Sequence, residues 1–217
     1  MSHIQTILPQ ISSLTAYDYQ TISNPQTEAL ISSFLPEPPK FSSLEAPLFI
    51  HVSGIPGSGK TTYIDHNMRK NTVRIQFDAI MKQLPGYEES VQKEGLAKAF
   101  EKFEMPARVI GYELLDRALR QRCNIVFEHS LNPVHLDLYR YLNDNGYETN
   151  LVFMDCSPEE ALQRVKERES RIGRHTPEDF IFGRYKTAQQ LLPTFKDIAQ
   201  SFTILSHPDA PAGHLSR

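Results

Sequence analysis

The segment Gly54-Ile55-Pro56-Gly57-Ser58-Gly59-Lys60-Thr61 satisfies every fixed position of the pattern G-x-x-x-x-G-K-[ST]. That spacing suits a chain of phosphates. Gly54, Gly57 and Gly59 permit positive φ, so successive backbone N–H groups, that of Ser58 among them, can curl around phosphate oxygens. A helix opening at Lys60 adds the positive end of its dipole. In such loops the lysine reaches the β- and γ-phosphates and the hydroxyl of the next residue binds Mg²⁺, roles that fall here to Lys60 and Thr61, with Thr62 following on the same turn. The chemistry implied is binding of a nucleoside triphosphate, ATP or GTP, with Mg²⁺. The loop does not decide the fate of the phosphate, because GTPases, helicases, transporters and kinases share it.

Two carboxylates bear on that choice. Asp78 closes the run Ile75-Gln76-Phe77-Asp78, where it could accept the proton of an acceptor hydroxyl as a catalytic base. Aspartate is also a favoured helix N-cap, and 79–84 read as helix. Glu128 closes Ile125-Val126-Phe127-Glu128, where a kinase or nucleotide hydrolase holds substrate or a magnesium-bound water, and where a glutamate can also cap a turn. His129 and Ser130 follow and could line the pocket, although a lone histidine there is more often a structural hydrogen-bonding group. Leu84-Pro85-Gly86-Tyr87 makes a turn, and the Tyr87 ring could lie over a substrate.

A third cluster is cationic. Arg164 and Arg168 lie four residues apart on one helix face, which Arg171 continues, and Arg174 follows after Gly173. Planar guanidinium groups suit the clamping of a phosphoryl group in transfer. Gly173 and Pro177 bracket a segment that could close over the nucleotide as a lid. The competing reading is a solvated helix with ion pairs such as Glu160–Arg164.

These residues need elements to hold them. Leu48–Val52 reads as a buried strand, 60–70 as a helix, Thr72–Phe77 as a second strand, and 90–121 as helix bent or broken at Gly95, Pro106 and Gly111. Asn124–Glu128 reads as a third strand, Pro133–Asn145 as a helix and Thr149–Met154 as a fourth strand. Helices at 158–170 and 177–191 and a last strand at Phe202–Leu205 complete the series. Alternating strands and helices imply an α/β fold: a parallel sheet with helices on both faces, of the phosphate-loop NTPase and kinase type, carrying an arginine-rich lid. Ligands of such sheets sit beyond the carboxyl ends of the strands, where each of these motifs falls.

Composition sets limits. The chain has 217 residues, 40% hydrophobic and 23% charged, with 23 Lys and Arg against 26 Asp and Glu, a net charge of −3. That balance offers no basic surface for nucleic acid. No apolar run approaches the roughly 20 residues that span a bilayer, and the start Met1-Ser2-His3-Ile4-Gln5 lacks the form of a secretory signal. Cys123 and Cys156 lie far apart without metal-ligand spacing, so a reducing cytoplasmic setting is expected, with export by a route needing no cleavable signal left open. Residues 1–46, rich in Ser, Thr, Gln and Pro, read as a segment of short helices ending in a linker at 36–46, ahead of a kinase-like domain over 47–217.

Taken in order, Gly54–Thr62, Phe77-Asp78 with Leu84–Tyr87, Asn124–Ser130, Asn145–Glu148 and Ala161–Pro193 resemble the zeta-toxin family of kinases. The more specific portion is the helix with Ala161, Leu162, Arg164, Val165 and Arg168. It leads through Gly173, His175, Pro177 and Glu178 to Arg184-Tyr185, as in the zeta-like branch. The resemblance implies ATP-dependent phosphorylation of the 3′-hydroxyl of UDP-N-acetylglucosamine. It places Asp78 as base, Glu128 on the substrate, and Arg168 and Arg174 on the ATP phosphates with Arg164 as a further candidate. It also implies a small helical antitoxin as a separate partner. The chain departs from the family at His129-Ser130-Leu131, where a Thr-Leu or Thr-Arg stretch is usual, and in its shorter arginine spacing. Both touch the acceptor pocket, so NAD or another hydroxyl-bearing nucleotide is an open acceptor. The rival readings are a nucleic-acid-end kinase and a nucleotide switch or binding protein; no Asn-Lys-x-Asp, the guanine-reading pattern, occurs in the chain.

Overall fold

In the computed structural model, residues 22–36, 46–67, 72–172 and 176–206 are described, with the backbone alone for 170–172. Among the described residues five strands form one parallel sheet: β1 (Leu48–Ser53), β2 (Val73–Ile75), β3 (Ile125–Glu128), β4 (Glu148–Met154) and β5 (Ser201–Leu205), in the order β2-β3-β1-β4-β5. The register brings Val52 opposite both Glu128 of β3 and Val152 of β4, so β1 and β3 end side by side. From β1 the chain leaves toward β2 on one side. From β3 it crosses β1 to reach β4 on the other, which makes the carboxyl ends of β1 and β3 the crevice of the sheet.

Strands buried on both faces must be apolar nearly throughout. Phe49, Val52, Ile125, Val126, Phe127, Leu151 and Val152 all meet that demand. Ser53, Thr149 and His51 are buried polar exceptions; His51, an imidazole in the central strand, has both ring nitrogens engaged, Nε2 with the His129 carbonyl at 2.9 Å and Nδ1 with the Tyr139 hydroxyl at 3.2 Å. An unpaired polar group there would cost several kcal/mol of desolvation, roughly 1–3 by mutational measures.

Helices cover the sheet. α1 (Pro25–Phe34) opens on a capping box, with Asn24 Oδ1 accepting from the N–H groups of Gln26 and Thr27, and Thr27 returning the bond to the Asn24 N–H. α2 (Lys60–Asn67), α3 (Phe77–Lys82), α4 (Tyr87–Glu94), α5 (Leu96–Arg120), α6 (His135–Asp144), α7 (Pro158–Ile172) and α8 (Glu178–Ile198) follow. α1 is tied to α5 by Arg117, whose Nη1 and Nη2 meet the two Glu28 oxygens at 2.8 and 3.0 Å. A two-pronged pair of this kind is the stronger sort of ion pair. α1 lies within the expected N-terminal segment of short helices; residues 1–21 and most of the 36–46 linker lie outside the described residues.

Three expectations change. The helix expected over 90–121 breaks at Gly95 but continues through Pro106 and Gly111. At Gly111 the reason is packing, since a Cβ there would fall 2.5 Å from the Phe77 ring. The second strand stops at Ile75, and Phe77 already belongs to α3, with Gln76 as its still-extended N-cap. The helix expected at 177–191 runs on to Ile198 through Pro193. No helix among the described residues is long and apolar enough to cross a membrane. Cys123 and Cys156 are both buried thiols.

Candidate active site

The loop between β1 and α2 is shaped by its neighbours. Gly57 has φ +86, and a Cβ on it would meet the Ala161 carbonyl at 2.5 Å, so the loop can lie this close to α7 only as glycine. Lys60 Nζ donates to the carbonyls of Gly54 and Ile55 at 3.0 and 2.9 Å, which holds the ammonium over the loop. Ser130 Oγ donates to the same Gly54 carbonyl at 3.0 Å, joining the end of β3 to the loop. Thr61 Oγ1 donates to Glu128 Oε1 at 2.9 Å, while Glu128 Oε2 accepts from Gln76 Nε2 at 2.7 Å. One carboxylate therefore ties together the segments that follow β1, β2 and β3.

Above this junction opens a cavity of about 1170 Å³. Pockets for a single drug-sized ligand run to roughly 1000 Å³, so a nucleotide and a second molecule are both within its scale. Gly57, Gly59, Lys60, Thr61 and Thr62 face it on the loop side, whereas Gly54 and Ser58 serve as loop framework. Glu128 and Ser130 face it from the end of β3, Asp78 from α3, and Arg164 and Arg168 from α7. Asp78 is thus in the expected cavity but not at a strand end: it sits in the first turn of α3, with Gln76 in the N-cap place. The N-cap reading of Asp78 is set aside by that geometry. Tyr87 lines the wall while buried edge-on against Phe103, with ring centroids 5.6 Å apart, so it bounds the cavity rather than covering it.

The arginine segment is divided. Arg168 Nη2 reaches Thr176 Oγ1 at 3.5 Å, linking α7 to the start of α8, and Arg164 Nη1 lies 3.6 Å from Cys156 Sγ. The Glu160–Arg164 ion pair does not form, since Glu160 Oε2 instead accepts from Ser157 Oγ at 3.3 Å. Gly173, Arg174 and His175, the middle of the expected lid, lie outside the described residues, as does the Arg171 side chain.

Several residues around the cavity escaped the sequence reading. Gln76 orients Glu128, and only the turn geometry after β2 reveals it. Arg108 of α5 and Arg184 of α8 both face the cavity, though they are distant in sequence from each other and from the loop. Arg184 carried a signal as part of the Arg-Tyr pair; Arg108 carried none. His129 lines the cavity as expected, and His51 and His135 pack behind it with Phe127, the His129 and His135 rings 4.7 Å apart. Burial pushes His51 down to about 4 and His129 to about 3, and lowers His135 well below its ordinary value; nearby cations, Lys60 for His51 and Arg108 with Arg184 for the others, act in the same direction. All three are neutral imidazoles at neutral pH. The reading of His129 as structural matches this packing, its Nδ1 donating to the Ser130 carbonyl at 2.7 Å.

The zeta toxin family profile matches residues 36–208. The chain belongs to the zeta toxin family. Among solved structures, a chain from the PezAT chromosomal toxin–antitoxin system of Streptococcus pneumoniae is 21% identical, with a TM-score of 0.63 over 89% of this chain and 81% of that one. A chain of the Pnkp1/Rnl/Hen1 RNA repair complex gives 17% identity and a TM-score of 0.53, over 74% of this chain and 49% of its own length. Shikimate kinase from Bacteroides thetaiotaomicron gives 20% identity and a TM-score of 0.42, over 71% and 85%. No curated protein matches the sequence. The fold is that of a phosphate-loop NTPase of the kinase-like kind, and this zeta toxin family member has the parallel sheet and loop placement that fold requires.

The donor set fits Mg²⁺. Thr61 and Glu128 present a hydroxyl and a carboxylate in direct contact, and among the described residues no group of three or more His, Cys, Asp or Glu forms a cage. Mg²⁺ in phosphoryl-transfer sites is held in this way, by one or two side chains completed by substrate phosphates and water.

Proposed function

We propose that this zeta toxin family member is a kinase that transfers the γ-phosphoryl group of ATP to a hydroxyl of a nucleotide-type acceptor. The observation that carries the reading is the Thr61–Glu128 contact at 2.9 Å beside Lys60, in a cavity that Asp78 also faces. A triphosphate site and two acids in one cavity are the parts that phosphoryl transfer needs and that simple nucleotide binding does not.

In this scheme the backbone of the Gly54–Gly59 loop and Lys60 hold the β- and γ-phosphates. Thr61 and Glu128 would hold Mg²⁺, which supplies charge neutralisation of the phosphate oxygens. Asp78 accepts the proton of the acceptor hydroxyl, the freed oxygen bonds to the γ-phosphorus, and the bond from that phosphorus to the β-phosphate oxygen breaks to release ADP. Glu128 and Ser130 orient the acceptor end of the cavity, with Tyr87 as part of its wall. Arg168, with Arg164 and Arg174, neutralises charge on the transferring group. The family resemblance favours UDP-N-acetylglucosamine as acceptor, and the departure at His129-Ser130-Leu131 keeps NAD in the comparison. A small helical antitoxin is the partner proposed, in line with the toxin–antitoxin system from which the Streptococcus pneumoniae structure comes.

The test is to incubate the protein with ATP and Mg²⁺ against UDP-N-acetylglucosamine, NAD and a whole metabolite extract, and to follow products by mass spectrometry. The expected result is one acceptor gaining a phosphate in step with ADP. Release of ADP and free phosphate alone would overturn the kinase reading in favour of an idle ATPase or switch.

A further inference from the structure

The turn that follows β3 is held by a chain of side chains that the phosphoryl-transfer scheme does not use. It starts at Tyr139, a fully buried residue of α6, whose hydroxyl lies 3.2 Å from His51 Nδ1 in the central strand. His51 Nε2 lies 2.9 Å from the His129 carbonyl. A carbonyl oxygen only accepts, so Nε2 carries the proton, and Nδ1 of the neutral ring accepts from the Tyr139 hydroxyl. The directions of both bonds are thereby fixed. His129 is tied twice more: its backbone N–H donates to the Val52 carbonyl at 3.3 Å, and its Nδ1–H to the Ser130 carbonyl at 2.7 Å. Ser130 Oγ then donates to the Gly54 carbonyl at 3.0 Å, the same oxygen that accepts from Lys60 Nζ. Hydrogen bonds thus lead from α6 through His51 and the 129–130 turn to the phosphate loop.

The same turn also touches α3. The His129 ring stacks on Phe127, with centroids 5.7 Å apart and planes 6° apart, and meets the Phe77 ring edge-on at 5.7 Å. Phe77 is the residue before Asp78. Glu128, one residue ahead of the turn, is bonded to Thr61 and Gln76. Whatever fixes the backbone at 128–130 therefore fixes both carboxylates relative to the loop. His51 is placed to do this. Its strand neighbours Ile50 and Val52 show what the inside of the sheet demands, and a hydrocarbon side chain would fill the place without the desolvation cost of an imidazole. What a hydrocarbon cannot supply is the N–H that holds the His129 carbonyl.

We propose that His51, oriented by Tyr139, is a positioning residue for phosphoryl transfer: its Nε2–H fixes the His129–Ser130 turn, and through it sets Glu128, Ser130 and Asp78 against the phosphate loop. This rests on the kinase reading and adds to it two residues that do not line the cavity.

The experiment compares His51→Phe, His51→Gln and Tyr139→Phe with wild type in single-turnover transfer from ATP to the acceptor found by mass spectrometry, below the melting temperature of every variant. His51→Phe keeps the bulk and loses the donor, whereas the His51→Gln amide can donate to the same carbonyl. Tyr139→Phe removes one hydroxyl at the far end of the chain. The transfer rate should fall about tenfold in His51→Phe and at least about threefold in Tyr139→Phe, the scale of one hydrogen bond, and His51→Gln should recover most of the loss. AMP-PNP affinity should stay within about twofold in all three, since the loop amides and Lys60 are intact. Residues that only stabilise the fold would lower the melting temperature and leave the rate of the bound complex unchanged. Wild-type rates in both His51→Phe and Tyr139→Phe, or a His51→Gln variant as slow as His51→Phe, would overturn the positioning role. Should His51→Phe fail to fold, a wild-type rate in Tyr139→Phe overturns it alone. Absence of transfer by the wild-type chain would instead strike the kinase reading itself, so the two failures are told apart.

Discussion

Glu128 uses one carboxylate oxygen for Thr61 and the other for Gln76. Glu128→Gln keeps the shape and can keep both bonds once the amides reorient, but it removes the charge. The expected result is a fall in kcat of about 10²-fold or more with weaker Mg²⁺ dependence, and an unfolding free energy within about 1 kcal/mol of wild type. Steady-state rates across a Mg²⁺ titration, paired with urea denaturation, check both halves; unchanged kcat would remove Glu128 from the scheme. Lys60→Ala removes the ammonium held over the loop carbonyls. Nucleotide affinity should drop by about tenfold or more, read by AMP-PNP titration. Wild-type affinity in that variant would contradict the placement of the triphosphate. The loop residues were legible in the sequence because their function is in their local pattern. Gln76 and Arg108 were not, because their role exists only once β2, β3 and α5 are brought together.

At the scale of elements, α3 and α5 decide where Asp78 stands. Phe77 packs on Gly111 of α5, with Tyr112 5.2 Å and His129 5.7 Å from it between ring centroids. Gly111→Ala puts a methyl into that ring, and overpacking of this kind costs about 1–3 kcal/mol. Melting temperature should fall, and kcat should fall further than stability alone explains, because Phe77 carries Asp78 with it. A variant with wild-type melting and kcat would show that α3 is positioned by other contacts. By propensity alone Gly111 and Pro106 are expected to bend or break the helix, because propensity is a local quantity. Here tertiary packing along one face of α5, through Ala107, Ile110, Leu114 and Ala118, overrides it. The alternation of strands with helices followed the sequence closely, since strands buried on both faces must read as apolar runs, whereas the order of strands in the sheet came only from the structure. The expected end of the second strand lies two residues too far, because Gln76 keeps an extended backbone outside the ladder and Phe77 continues the apolar pattern although it already opens α3.

At the scale of the whole molecule, the three buried histidines link stability to pH. Their folded pKa values lie below the ordinary 6.5, with His51 at about 4 and His129 at about 3. As pH falls below 6.5 the unfolded chain takes up protons that the folded chain refuses, so stability is full above about 6.5 and is lost progressively toward pH 4. Each histidine contributes a slope of up to about 1.4 kcal/mol per pH unit in that window. The groups facing them, Lys60, Arg108 and Arg184, are cationic and deepen the effect. Denaturation at pH 7.5, 6.0 and 5.0 should show a steady loss, and a flat profile would mean that the cluster charges without unfolding.

The central claim is that Asp78 takes the acceptor's proton in a transfer from ATP. Single-turnover transfer with the acceptor found by mass spectrometry, compared between wild type and Asp78→Asn at equal AMP-PNP affinity, tests it most directly. The expected result is a loss of about 10²–10⁴-fold in the transfer rate with the nucleotide still bound. Transfer at the wild-type rate in Asp78→Asn would contradict it.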